Sequence, residues 1–136
     1  MHEWALAEAV LVTADKTAAV EKMKSVSSVT ICLGELQQID RSIFKFALRE
    51  LGPGYKIFSG SKMNIVGEKA KFKCRSCGEQ VTLSDIKKKA GPEKAEYIHF
   101  VPEMVHVYMK CGKCASPDFD IVQGRGVFIK SITGKR

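Results

Sequence analysis

The sequence predicts an α+β fold, a small mixed β-sheet with two helices, interrupted by an inserted module that cysteines hold together. Three observations carry this expectation. Apolar residues near the start recur at helical spacing and then alternate as in a strand. Two further strand-like runs flank a Gly-Arg-Gly turn near the end, and the stretch between carries two Cys-x-x-Cys pairs.

From Glu3 to about Met23, Trp4, Ala7, Leu11, Ala14 and Ala18 fall at three- and four-residue steps, the face of a helix that starts almost at the first residue. Glu3 and Glu8 suit the positive end of its dipole. Val26 to Leu36 then alternates, with Val29, Ile31 and Leu33 on one side and Thr30 and Cys32 on the other, so a half-buried strand is expected. Cys32 is expected to be a buried, inert thiol. Asp40 fits the N-cap of a second helix, whose stripe of Ile43, Phe44, Ala47, Leu48 and Leu51 stops at Gly52-Pro53-Gly54. Met63 to Val66, Phe119 to Val122 and Val127 to Ile132 read as short strands, the last two around Gly124-Arg125-Gly126.

The middle, 69–117, has little continuous apolar patterning and is expected to need a staple rather than a core of its own. The domain organisation expected is therefore 1–68 with 118–136 as one α+β domain and 69–117 as an insertion, with a helix near Ser84 to Lys89. At 136 residues the chain is one compact domain or two small ones, too short for a large multi-domain enzyme. Its 45% hydrophobic and 27% charged composition is that of a globular protein, and no apolar run approaches the roughly 18 residues of a membrane span. No basic region followed by an apolar stretch opens the chain, so a secretory signal is not expected and a cytoplasmic location is.

Cys74-Arg75-Ser76-Cys77 and Cys111-Gly112-Lys113-Cys114 are matched knuckles, a spacing that turns two thiolates toward one ion. Four soft ligands in a closed tetrahedron suit structural Zn(II) and make the insertion zinc-ribbon-like; the same thiolates would accept iron. Two disulfides or a redox-active pair do not account for two matched knuckles without a secretory signal. The spacer from Gly78 to Lys110 exceeds the roughly 15 to 20 residues of a compact ribbon, so an excursion within it is expected. With all four positions filled by protein there is no place for a reactive water, and the chain is not expected to be an enzyme.

Lys and Arg number 22 against 15 Asp and Glu, a formal +7. Four thiolates on one divalent ion would bring this to about +5. The positive residues are scattered apart from Lys69 to Lys73 and Lys87 to Lys89, which reads as a solvated basic face.

The first residues offer a second chemistry. With His2 bulky, Met1 is expected to stay and to keep its α-amine. That amine, the following amide nitrogen and the His2 imidazole can chelate one ion, given loss of the amide proton, which Ni(II) and Cu(II) can drive and Zn(II) cannot. A fourth donor is needed, from the Glu3 amide or another imidazole. By themselves these residues also allow a chance N-terminal histidine, and His99 and His106 read equally as packed, hydrogen-bonded imidazoles.

Met1-His2-Glu3 opening a helix, Leu33-Gly34-Glu35-Leu36 ending the first strand, paired knuckles and Gly124-Arg125-Gly126 together resemble the HypA family of hydrogenase nickel-insertion proteins, over essentially the whole chain. The long spacer resembles that of archaeal members. The resemblance implies a nickel metallochaperone in which Met1, His2 and Glu3 carry nickel while Cys74, Cys77, Cys111 and Cys114 hold zinc. It further implies delivery to the precursor of the [NiFe]-hydrogenase large subunit, with a nucleotide-hydrolysing partner of the HypB type. The chain has no Gly-x-x-x-x-Gly-Lys-Ser/Thr loop, so nucleotide hydrolysis would lie in that partner. His99 is taken as an additional nickel ligand that the inserted module could bring or withdraw. The rival reading is a basic zinc-ribbon nucleic-acid binder, which fits charge and zinc but leaves Met1-His2-Glu3 without a purpose and lacks a stripe of aromatics for stacking.

Overall fold

A computed structural model of the chain describes residues 2–136; Met1, one of the expected nickel ligands, lies outside them. In chain order the elements are α1 (Glu3–Val20), β1 (Ser25–Gly34), α2 (Arg41–Leu51), β2 (Lys62–Glu68), β3 (Lys71–Cys74), β4 (Gln80–Thr82), α3 (Leu83–Ala90), α4 (Pro92–Phe100), α5 (Val105–Tyr108), β5 (Phe119–Gln123) and β6 (Val127–Lys135). Among the described residues these form two three-stranded sheets, ordered β2-β1-β6 and β4-β3-β5. Contacts divide the chain into a first unit, up to Cys32 with Ile39–Val66 and Val127–Arg136, and a second, Leu33–Gln38 with Gly67–Gly126.

In the first unit α1 packs on α2 and buries Ala7, Val10, Leu11, Ala14 and Ala18, a face in which small residues predominate. Trp4, expected on that stripe, is 44% exposed and stands edge-on to Phe46 at 5.9 Å. An indole is too bulky for a seam built of alanines. Asp40 does cap α2, its Oδ1 accepting the Ile43 amide at 3.1 Å, while Ile43 faces outward and Phe44, Ala47 and Leu48 are buried. Cys32 is buried as expected, but so is its neighbour Leu33, because the end of β1 is covered on both faces.

The second unit departs further from the sequence expectation. β5 pairs antiparallel with β3, Phe72 opposite Ile121 and Cys74 opposite Phe119, so 118–126 is built onto the cysteine-bearing sheet. The unit also buries a core of its own, with Phe72, Ile86, Ile98, Val105 and Phe119 almost fully enclosed together with Leu36. Local pattern missed this because the core is assembled from one or two apolar residues per short element. α3 starts at a capping box in which Thr82 and Asp85 exchange hydrogen bonds, and α4 follows at Gly91-Pro92, a pair that reads locally as a turn but here starts a helix with proline in its first turn.

The glycines of the two short motifs meet. A Cβ on Gly34 would lie 2.2 Å from the Gly124 carbonyl oxygen, and one on Gly124, whose φ is +90°, 2.4 Å from the Ala70 Cα. Glu35 Oε1 accepts the Ala70 amide at 2.8 Å and Glu68 Oε1 the Gly124 amide at 2.9 Å. Gly124-Arg125-Gly126 is thus one side of a backbone crossing.

Candidate metal centre

β3 runs directly into the first knuckle, and the two knuckles repeat one backbone geometry. The Gly78 amide bonds to the Cys74 carbonyl at 2.9 Å, and the Ala115 amide to the Cys111 carbonyl at 2.8 Å. Cys74 and Cys111 in turn donate their amides to Glu79 and Ser116, both at 2.8 Å. Each knuckle closes on a left-handed residue, Gly78 at φ +82° and Ala115 at +63°; the latter pays the steric cost of a Cβ there.

This brings the four sulfurs together. Cys74 to Cys114 and Cys77 to Cys111 are each 3.5 Å apart, and all four sulfurs lie within 4.8 Å of one another. A tetrahedron with Zn–S bonds of about 2.3 Å has edges of about 3.8 Å, so the donor set fits Zn(II). The amides of Cys114 and Lys113 point at the Cys111 sulfur and hold its thiol down to about 6, and those of Cys77 and Ser76 lower Cys74. At Cys114 the Ser116 amide favours the thiolate, yet the Cys74 sulfur and its neighbours push the group up to about 12. Four negative sulfurs cannot crowd together without a cation; a divalent ion would supply that charge, and with it a crosslink between β3 and the segment after α5.

The remaining expected ligands lie elsewhere. His2 is the exposed N-cap of α1, without a side-chain capping bond. The ladder of α1 opens with the Leu6 amide on the His2 carbonyl, so the amides of His2 and Glu3 carry no helical hydrogen bond. Glu3 is only 4% exposed, and its Oε2 accepts the Asp40 amide at 2.9 Å, joining the starts of α1 and α2. Hydrogen bonding, with the Asp40 amide and its own backbone amide among the donors, holds this carboxyl down to about 2.

His99 belongs to the second unit, near the end of α4, and is about 30% exposed. Its Nε2 lies 2.8 Å from the Glu35 carbonyl oxygen, which can only accept, so Nε2 carries the proton and a neutral ring keeps its lone pair on Nδ1. Glu96 lies 3.9 Å from that Nδ1. His106 donates from Nδ1 to the Pro117 carbonyl at 3.2 Å and is exposed. Glu35 and Glu68, which fix the crossing beside His99, were not singled out from the sequence; the only trace is Glu35 within Leu33-Gly34-Glu35-Leu36.

A sequence model of the family described as "Hydrogenase/urease nickel incorporation, metallochaperone, hypA" matches residues 1–134. The chain belongs to the HypA family. Among similar proteins, the hydrogenase maturation factors HypA of Pyrococcus horikoshii and Pyrococcus furiosus are 44% and 45% identical over 132 residues, covering 97% of this chain and 94% of theirs. That of Ignicoccus hospitalis is 35% identical, covering 91% and 89%. The solution structure of the nickel metallochaperone HypA from Helicobacter pylori superposes with a TM-score of 0.65 at 20% identity, over 99% of this chain and 98% of that one, and so shares the HypA fold. This membership disfavours the nucleic-acid reading. No helix among the described residues is long and apolar enough to cross a membrane.

Proposed function

We propose that this HypA-family chain binds Ni(II) at its N-terminus, through the α-amine of Met1, the amide and imidazole of His2 and the Glu3 amide, and delivers it to the precursor of the [NiFe]-hydrogenase large subunit. It acts in the cytoplasm beside a HypB-type nucleotide-hydrolysing partner and is not itself a catalyst. The supporting observation is the state of His2 and Glu3: an exposed imidazole next to two amides outside the helical ladder. Deprotonating those amides breaks no bond of the helical ladder. The first unit carries the N-terminal donors, and the second is held by Zn(II) on Cys74, Cys77, Cys111 and Cys114.

His99 is proposed as an additional nickel ligand through Nδ1. The Glu35 carbonyl fixes the tautomer that exposes this lone pair, the arrangement in which an outer acceptor orients a metal-binding imidazole. Substituting His99→Ala should change nickel affinity and the absorption spectrum of the complex; an unchanged titration removes His99 from the ligand set.

The deciding experiment is a nickel titration of tag-free protein beside a variant with one alanine placed before Met1. The extension should abolish tight nickel binding while zinc content and fold stay unchanged. Equal nickel affinity in both proteins would refute the proposed site.

A further inference from the structure

In the first unit a cavity of about 590 Å³ opens between the second half of α2 and the connection from α2 to β2. Its floor is apolar, with Leu48 and Phe58 buried and Met63 partly so. Its rim is basic. Lys45 and Arg49 stand one turn apart on the exposed face of α2, Lys56 reaches in from the connection, and no carboxylate lines the cavity. Glu8, which reaches this connection from α1, is engaged by the Tyr55 hydroxyl at 2.8 Å.

The wall is set in advance. Along the connection the amides of Tyr55, Phe58, Ser59 and Ser61 each bond to the carbonyl three residues back, at 2.9 to 3.1 Å, and the Tyr55 and Phe58 rings lie 5.8 Å apart. The Ser61 hydroxyl donates to the Val26 carbonyl in β1. A site already in shape saves the ordering cost of binding.

We propose that this cavity docks an acidic segment of a partner protein, carboxylates meeting Lys45, Arg49 and Lys56 while one apolar side chain enters over Leu48, Phe58 and Met63. Charge complementarity selects the sign of the partner: three cations with no carboxylate among the lining residues repel one another until negative charge arrives. The helix end selects its kind. The cavity lies toward the C-terminus of α2, where carbonyls rather than amides are exposed, so it lacks the backbone cradle that holds a phosphate. An inorganic anion would also leave the apolar floor unused.

The test uses the zinc-loaded full chain without nickel, labelled for NMR. The probe is a short synthetic peptide in which Asp and Glu flank a central Leu-Phe; its Asn/Gln counterpart and inorganic phosphate are titrated in parallel. The acidic peptide should shift the amides of Gly52, Gly54 and Gly60, and raising salt from about 50 to about 300 mM should weaken it. Combining Lys45→Glu with Arg49→Glu should weaken it about tenfold or more, and Lys56→Glu, on a different segment, should act in the same direction if the double variant does not fold. The proposal is overturned if those glycines do not move, if the amide counterpart binds as well, or if phosphate alone reproduces the shifts. Docking should persist in the alanine-extended protein, so its failure is distinguishable from failure of the nickel site.

Discussion

Gly34→Ala tests whether the backbone crossing holds the second unit together. The added Cβ would sit 2.2 Å from the Gly124 oxygen, 2.4 Å from its carbon and 2.9 Å from the Gly126 oxygen. All three are backbone atoms, so no side chain can swing away, and the strands must part by roughly 1 Å to restore ordinary contact. The crossing is flanked by the Gly34 amide on the Gly126 carbonyl and the Leu36 amide on the Gly124 carbonyl, both 2.8 Å, and parting stretches both. Overpacking of this sort costs about 1–3 kcal/mol. Two weakened hydrogen bonds add about 0.5–1.5 kcal/mol each, for a total of about 2–6 kcal/mol. In a unit of this size that is a fall in melting temperature of roughly 10 °C or more.

Thermal unfolding of the zinc-loaded protein by circular dichroism measures the fall, with faster exchange of the Leu36 and Ala70 amides as its local counterpart. Gly126→Ala is the control: a Cβ there meets nothing within 4 Å, so it should cost no more than about 0.5 kcal/mol. The reasoning fails if Gly34→Ala is as stable as the parent or if Gly126→Ala costs as much. Because the Glu35 carbonyl holds His99, Gly34→Ala should also disturb the imidazole resonances of His99.

Two further outcomes concern protons. With Cys111 held down to about 6 and Cys114 pushed up to about 12, the apo quartet at neutral pH keeps several thiol protons, so zinc binding should release about two and weaken steeply as pH falls from about 8 to 6. Proton release in weakly buffered calorimetry checks this, and a pH-independent affinity would contradict it. Glu3 is lowered from its ordinary 4.5 to about 2 in the folded chain, so its contribution to stability is complete above about 4.5 and is lost as pH falls toward 2. Glu3→Gln should flatten that part of the acid-unfolding curve, followed by the fluorescence of Trp4, the single tryptophan, which sits in α1 beside Phe46; an identical curve would show that the carboxylate does not tie the helices.

Much of the first unit was legible in the residues because its elements are long enough to show a period. The α1 stripe, the Asp40 cap and the β1 alternation are each set by neighbours within about one turn or two strand positions. The second unit was less so. α4 was not expected, and the pairing of β5 with β3 depends on partners far apart in the chain.

Residue identity and short spacings are enough to set the donor types: two knuckles of soft sulfur, and an amine, amide and imidazole at the start. Those are properties of single residues and short spacings. It takes the folded chain to bring the four sulfurs within 4.8 Å of one another, to set the Glu3 carboxylate on the Asp40 amide, to tie Nε2 of His99 to Glu35, and to gather Lys45, Arg49 and Lys56 around one cavity. Each joins atoms from separate segments, and chain closure and packing, not local preference, place such atoms.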